Sequence, residues 1–145
     1  KYPNIRLMFV GASKTDPLYR QAKETADYVV GITQHEKLPF YFAAADVYCY
    51  YGNSKTIRYA GPGVTTTEAM ACNLNVISTN LNHFPDKIVP YLGFIPKNFA
   101  YFVDKIEFLI RNPKYKFNPR NIIAPYVAYE KITKNIIKVY EKILE

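Results

Sequence analysis

The chain has 145 residues, of which 49% are hydrophobic, enough for one core of ordinary size and too few for two ordinary domains. Its formal charge of +7 comes without an arginine-rich cluster, a zinc-finger spacing or an aromatic RNA-binding motif. Nucleic acid is therefore not an expected partner, and the excess belongs either to solvated lysine faces or to a polyanionic ligand. No apolar run approaches the roughly 20 residues that span a bilayer, and Cys49 and Cys72 form no CxxC pair and lie in apolar stretches, so a soluble chain in a reducing, cytoplasmic setting is expected.

Short apolar runs alternate with helical patterns, which predicts stacked βαβ units and a mainly parallel sheet in a three-layer α/β/α Rossmann-like domain. Arg6 to Val10 reads as a buried strand stopped by Gly11, and a helix is expected from about Asp16 and Pro17, since Asp caps a helix start and Pro is tolerated in its first turn. Tyr28 to Ile32 reads as a second strand, Lys37 to Ala45 as a short helix and Asp46 to Tyr51 as a third strand. Gly52 to Gly63 holds three glycines and a proline, so it reads as a loop at the carboxyl end of that strand, the edge where open α/β sheets bind ligands.

Val64 to Cys72 reads as a helix ended by Asn73, which tolerates the left-handed conformation needed just past a helix end. Asn75 to Thr79 is the expected fourth strand and Leu92 to Ile95 a short fifth. Two amphipathic helices follow, one with Phe99, Phe102, Val103, Ile106, Leu109 and Ile110 on its apolar face, the other with Tyr129, Ile132, Ile136, Tyr140 and Ile143. Asn112 to Pro119 reads as a polar connector between them. The whole chain is taken as a single domain, 1–145.

The most informative segment runs from Gly61 through Pro62, Gly63, Val64, Thr65, Thr66 and Thr67 to Glu68, a glycine-rich turn entering a helix. Free amides and the positive end of the helix dipole would face whatever lies before that helix, which makes the segment suited to an anion. Glu68, in the expected first turn, has two readings. It either accepts hydrogen bonds from vicinal hydroxyls such as those of a ribose, or closes an S/T-x-x-E capping box with Thr65. Lys55 and Arg58, in the preceding loop, are candidates for phosphate contacts, with solvated charge as the plain alternative. His35 and His83 are the only histidines and suggest no metal cluster or catalytic triad.

The stretches ADVYCY, GPGVTTTEAMACNLNVISTN and FPDKIV resemble the C-terminal domain of the family 4 retaining glycosyltransferases of GT-B fold, and the resemblance runs from Ile5 to the last helix. It implies binding of a nucleoside-diphosphate sugar, with Gly61, Pro62, Gly63, Val64, Thr65 and Thr66 at phosphates and sugar, Glu68 at the ribose, and Ile32 and Thr33 at the base. Gly11, closing the first strand, joins the donor-binding set. No cofactor or metal is implied, and no residue is assigned as catalytic.

The family's sugar-contacting carboxylate falls eight positions before Glu68, where Ala60 stands. Asn82 and His83 occupy a place where the family often has two glycines, and Asp86 replaces its usual glutamate. The Arg and Lys that hold the family's diphosphate would precede this chain, as would the N-terminal acceptor domain. The resemblance therefore implies one half of a larger enzyme, inactive alone, whose segment 124–145 packs on that missing half. Its acceptor could be lipid-linked, which would place the protein peripherally on a membrane. A non-catalytic binding or assembly module and a nucleotide-sugar epimerase are the alternatives.

Overall fold

The computed structural model describes residues 3–52 and 63–144, which fall into two units, residues 1–41 and 42–145. In the first unit, β1 (Met8–Val10) pairs in parallel with β2 (Tyr28–Val30), with Met8 opposite Tyr28 and Val10 opposite Val30. Helix α1 (Tyr19–Thr25) connects them. Asp27 accepts from the Leu7 amide at 2.8 Å and stands 3.7 Å from Arg6, which fixes the entry into β1. The first strand is not the buried strand expected: Phe9 keeps 43% of its surface exposed and α1 contributes no buried residue. Three-residue strands covered by one short helix leave much of their apolar surface in solvent.

Helix α1 also starts later than expected. Asp16 accepts from the Leu18 amide at 2.8 Å, making a turn of its own, and the helix begins at Tyr19. Residues His35–Lys37 form a single 3-10 turn that runs into α2 (Leu38–Ala43).

The second unit holds the core. Strands β3 (Val47–Tyr50) and β4 (Asn75–Ser78) are parallel neighbours, with Val47 opposite Asn75 and Tyr50 opposite Ser78. Helix α3 (Val64–Ala71) lies between them in sequence, so the segment is a βαβ unit. All four residues of β4 are buried. Thr66, Ala69 and Met70, spaced as neighbours on one helix face, are fully enclosed. The α/β class with short parallel strands and intervening helices is borne out.

Helix α3 ends as its sequence requires. Asn73 takes φ 63°, its amide reaches the Met70 carbonyl at 2.9 Å and the Leu74 amide reaches Ala69 at 3.1 Å, the paired bonds of a Schellman ending. The expected fifth strand is reduced to one bridge, Ile77 with Phe94, in which the Phe94 amide donates to Val76 and the Ser78 amide to Phe94. The chain can come this close because Gly93 has no side chain; a Cβ there would collide with the Val76 carbonyl.

Helices α4 (Phe99–Arg111) and α6 (Tyr129–Leu144) match the two amphipathic patterns, and Asn98 caps α4 by accepting from the Tyr101 amide at 2.8 Å. Between them stands a helix not anticipated, α5 (Pro119–Val127), with Pro119 in its first turn and Pro125 inside. It forms because it packs on α3: Pro119 and Ile123 are almost wholly buried. The connector ahead of it is not merely polar. Asn75, 4% exposed, donates from Nδ2 to the Tyr115 carbonyl and accepts at Oδ1 from the Phe117 amide, both at 2.9 Å, while Tyr115 and Phe117 pack edge-on against each other and around Phe94.

Two outcomes are expected. Asn75→Ala strands the buried Phe117 amide and the part-buried Tyr115 carbonyl and should destabilise the fold by about 1–3 kcal/mol, measured as a lower midpoint in urea. At the helix end, Asn73→Val should cost about 1–2 kcal/mol, because a β-branched residue pays the left-handed penalty in full, while Asn73→Gly should be neutral or stabilising by thermal melting.

Candidate functional site

The turn before α3 is built around Gly63. Its φ of 64° and ψ of 116° favour glycine, and it serves as the N-cap, with its carbonyl accepting from the Thr67 amide at 3.1 Å and the Thr67 hydroxyl at 3.3 Å. The amides of Val64, Thr65 and Thr66 precede the first of these helical bonds, and no hydrogen bond from them joins another described residue, so the positive helix end lies at this turn. That is the local geometry of an anion-binding turn.

The three threonines divide their work. Thr65 is exposed, Thr67 reaches back to Gly63, and Thr66 is 0% exposed with its hydroxyl 3.4 Å from the Ser78 hydroxyl and 3.5 Å from the Tyr48 phenol oxygen. Thr66 thus belongs to the interior. Burial pushes the Tyr48 phenol above its ordinary pKa, partly offset by the Thr66 hydrogen bond, with the Glu68 carboxylate among the nearby charges adding to the rise.

The capping box is not formed. With Gly63 as N-cap, Thr65 is the second helical residue and no side chain caps the turn, so the Thr65–Glu68 spacing does not satisfy it. Glu68 is the fifth helical residue, in the second turn rather than the first, half-buried and one turn beyond Val64, which is 75% exposed. It therefore lies on the open flank of α3 and not on the face closed by Ala69 and Met70.

Three polar residues after the apolar stretch of β4 complete this edge. Ser78 accepts from the Asn80 amide at 3.1 Å, and Thr79 accepts from the Gly52 amide at 3.0 Å, tying the exit of β3 to the exit of β4. Ser78, Thr79 and Asn80 are all buried. They were not singled out from the sequence, although a run of three polar residues directly after the apolar Val76 and Ile77, at a ligand-binding strand edge, is the signal that marks them.

The remaining candidates are described by unit. Gly11, at φ 91°, closes β1 with its amide 3.1 Å from the Val30 carbonyl, and Ile32, 79% exposed, and Thr33 follow β2 at the same carboxyl edge of the first unit. Gly61, Pro62, Lys55, Arg58 and Ala60 lie outside the described residues. His35 and His83 are both exposed, His35 opening the 3-10 turn His35–Lys37 and His83 ending the 3-10 turn Thr79–His83.

Among the described residues no helix is long and apolar enough to cross a membrane. No curated protein and no solved structure matches the chain. The family described as glycosyl transferases group 1 matches residues 1–126, which takes in both strand pairs, the Gly63 turn with α3, and nearly all of α5. With the match covering 126 of 145 residues, the chain belongs to the glycosyl transferases group 1 family.

Proposed function

We propose that this glycosyltransferase chain binds the nucleoside-diphosphate sugar donor for retaining transfer to an acceptor. The observation that carries the reading is the Gly63 turn, where the Val64, Thr65 and Thr66 amides are uncommitted among the described residues and Glu68 stands on the open flank of the same helix. As the bond to the diphosphate breaks, negative charge grows on the leaving oxygen, and fixed amide donors at a helix start stabilise it without having to reorganise. Glu68 accepts from the ribose hydroxyls. Gly11, Ile32 and Thr33 take the base at main-chain level, and Gly61, Pro62, Lys55 and Arg58 add donors and positive charge around the phosphates.

In this reading the chain acts with an N-terminal acceptor domain, against which segment 124–145 packs, and is inactive without it. The setting is cytoplasmic, peripheral to the membrane where the acceptor is lipid-linked. Ala60, in place of the carboxylate expected to touch the sugar, favours a second reading: a module that keeps nucleotide binding and has lost transfer. Transfer or donor hydrolysis by the protein together with its N-terminal half decides between them.

Titration calorimetry with UDP, GDP and ADP is expected to give saturable binding to at least one; absence of binding by all three at millimolar concentration rejects donor binding. Glu68→Gln should weaken the bound nucleotide about tenfold, the loss of one hydrogen bond to a charged group, with little change in melting temperature. Unchanged affinity together with a lower melting temperature would make Glu68 a residue of the fold and not of the site.

A further inference from the structure

Asn80, just past the end of β4, lies against the Gly63 turn and is 5% exposed. A Cβ placed on Gly63 would sit 2.6 Å from the Asn80 Nδ2 and 3.5 Å from the Thr66 hydroxyl, so both side chains meet the turn on the same side, an approach that a side chain at position 63 would block. Of the buried side-chain oxygens and nitrogens among the described residues, Asn80 Oδ1 is the one without a hydrogen-bond partner. Its polar neighbours are satisfied. Thr66, Ser78 and Tyr48 are linked to one another, and the Asn80 backbone amide donates to Ser78.

A carboxamide oxygen only accepts, so the partner it lacks is a donor, which an ionised phosphate cannot be and a hydroxyl can. An oxygen left buried and unpaired in an otherwise satisfied cluster costs free energy that such a donor recovers. Around the turn the chemistry comes in order: the Glu68 carboxylate on the open flank of α3, the positive helix end at Gly63, and Asn80 Oδ1 on the side that Thr66 faces. A nucleoside-diphosphate sugar has the matching order of ribose hydroxyls, diphosphate and sugar hydroxyls. We infer that Asn80 is a specificity-determining residue, its Oδ1 accepting a hydrogen bond from a hydroxyl of the transferred sugar. The inference rests on the donor-binding reading above and deepens it, because it gives the sugar an acceptor of its own and lets the site tell a sugar nucleotide from the bare diphosphate.

Calorimetry compares UDP with UDP-glucose, GDP with GDP-mannose and ADP with ADP-glucose on the wild type, Asn80→Leu and Asn80→Asp. The wild type should bind one sugar nucleotide about tenfold more tightly than its diphosphate. Asn80→Leu, similar in size but without an acceptor, should lose that preference and keep its affinity for the diphosphate. Asn80→Asp still accepts; its charge weakens both ligands alike and should leave their ratio as in the wild type. A ratio unchanged in Asn80→Leu, or lost equally in both variants, overturns the role of Asn80 while leaving diphosphate binding intact. A wild type that binds a diphosphate but prefers none of the sugar nucleotides does the same, and one that binds no ligand at all overturns both readings. The monodeoxyfluoro forms of the preferred sugar nucleotide test the wild type without relying on a variant to fold, because fluorine cannot donate a hydrogen bond. One of them should bind about tenfold more weakly than the parent; if all match it, no sugar hydroxyl donates to Oδ1 and the inference falls.

Discussion

One face of helix α3 is closed to solvent by Thr66, Ala69 and Met70, and this burial fixes how the helix is rotated about its axis. Once those three face β4 and α5, the helical repeat sends Val64 and Glu68 to the opposite, open side. A rotation of one residue would bring Glu68 toward the closed face, where an ionised carboxylate is costly unless paired. The rotation that hides Met70 is therefore the one that keeps Glu68 off the closed face. The Schellman ending at Asn73 sets where the helix stops, and β4, buried along its whole length, sets where the chain returns.

Two polar seams run through the second unit and do different jobs. Asn75, at the start of β4, spends both ends of its carboxamide on the backbone of Tyr115 and Phe117, and so holds the connector in place as α5 begins. At the other end of the strand, Ser78, Thr79 and Asn80 lie under the exit of β3 and the entry of α3. The first seam has its hydrogen bonds met within the chain, whereas the second leaves Asn80 Oδ1 without a partner. That contrast separates, on one short stretch, an asparagine that builds the fold from one whose side-chain oxygen the fold leaves unsatisfied.

The catalytic question turns on what a helix start can do by itself. Backbone amides held by Gly63 are donors of fixed direction, and no ionisable side chain is needed to aim them. In the proposed reading, a chain with Ala60 where the resemblance implies a sugar-contacting acid keeps its phosphate contacts while its hold on the sugar weakens. In the proposed reading, nucleotide binding and sugar transfer depend on different atoms and so can be lost separately.

Much was written locally in the sequence. Alternation of short apolar runs with helical periods gave the α/β class, Asn73 marked its own left-handed turn, and the stripes of α4 and α6 gave their extents, because each depends on neighbours within a few residues. The glycine-rich entry to α3 was legible for the same reason, since a positive φ at Gly63 is a property of one residue. Tertiary structure decided the rest. Helix α5 carries two prolines and forms only because Pro119 and Ile123 have α3 to pack on. The fifth strand shrank to one bridge where Gly93 meets Val76, and the capping box gave way because the helix chose Gly63 as its cap. Asn80 reaches the Gly63 turn from just past the end of β4, and no spacing along the chain encodes an approach that only the folding of β4 beside α3 creates.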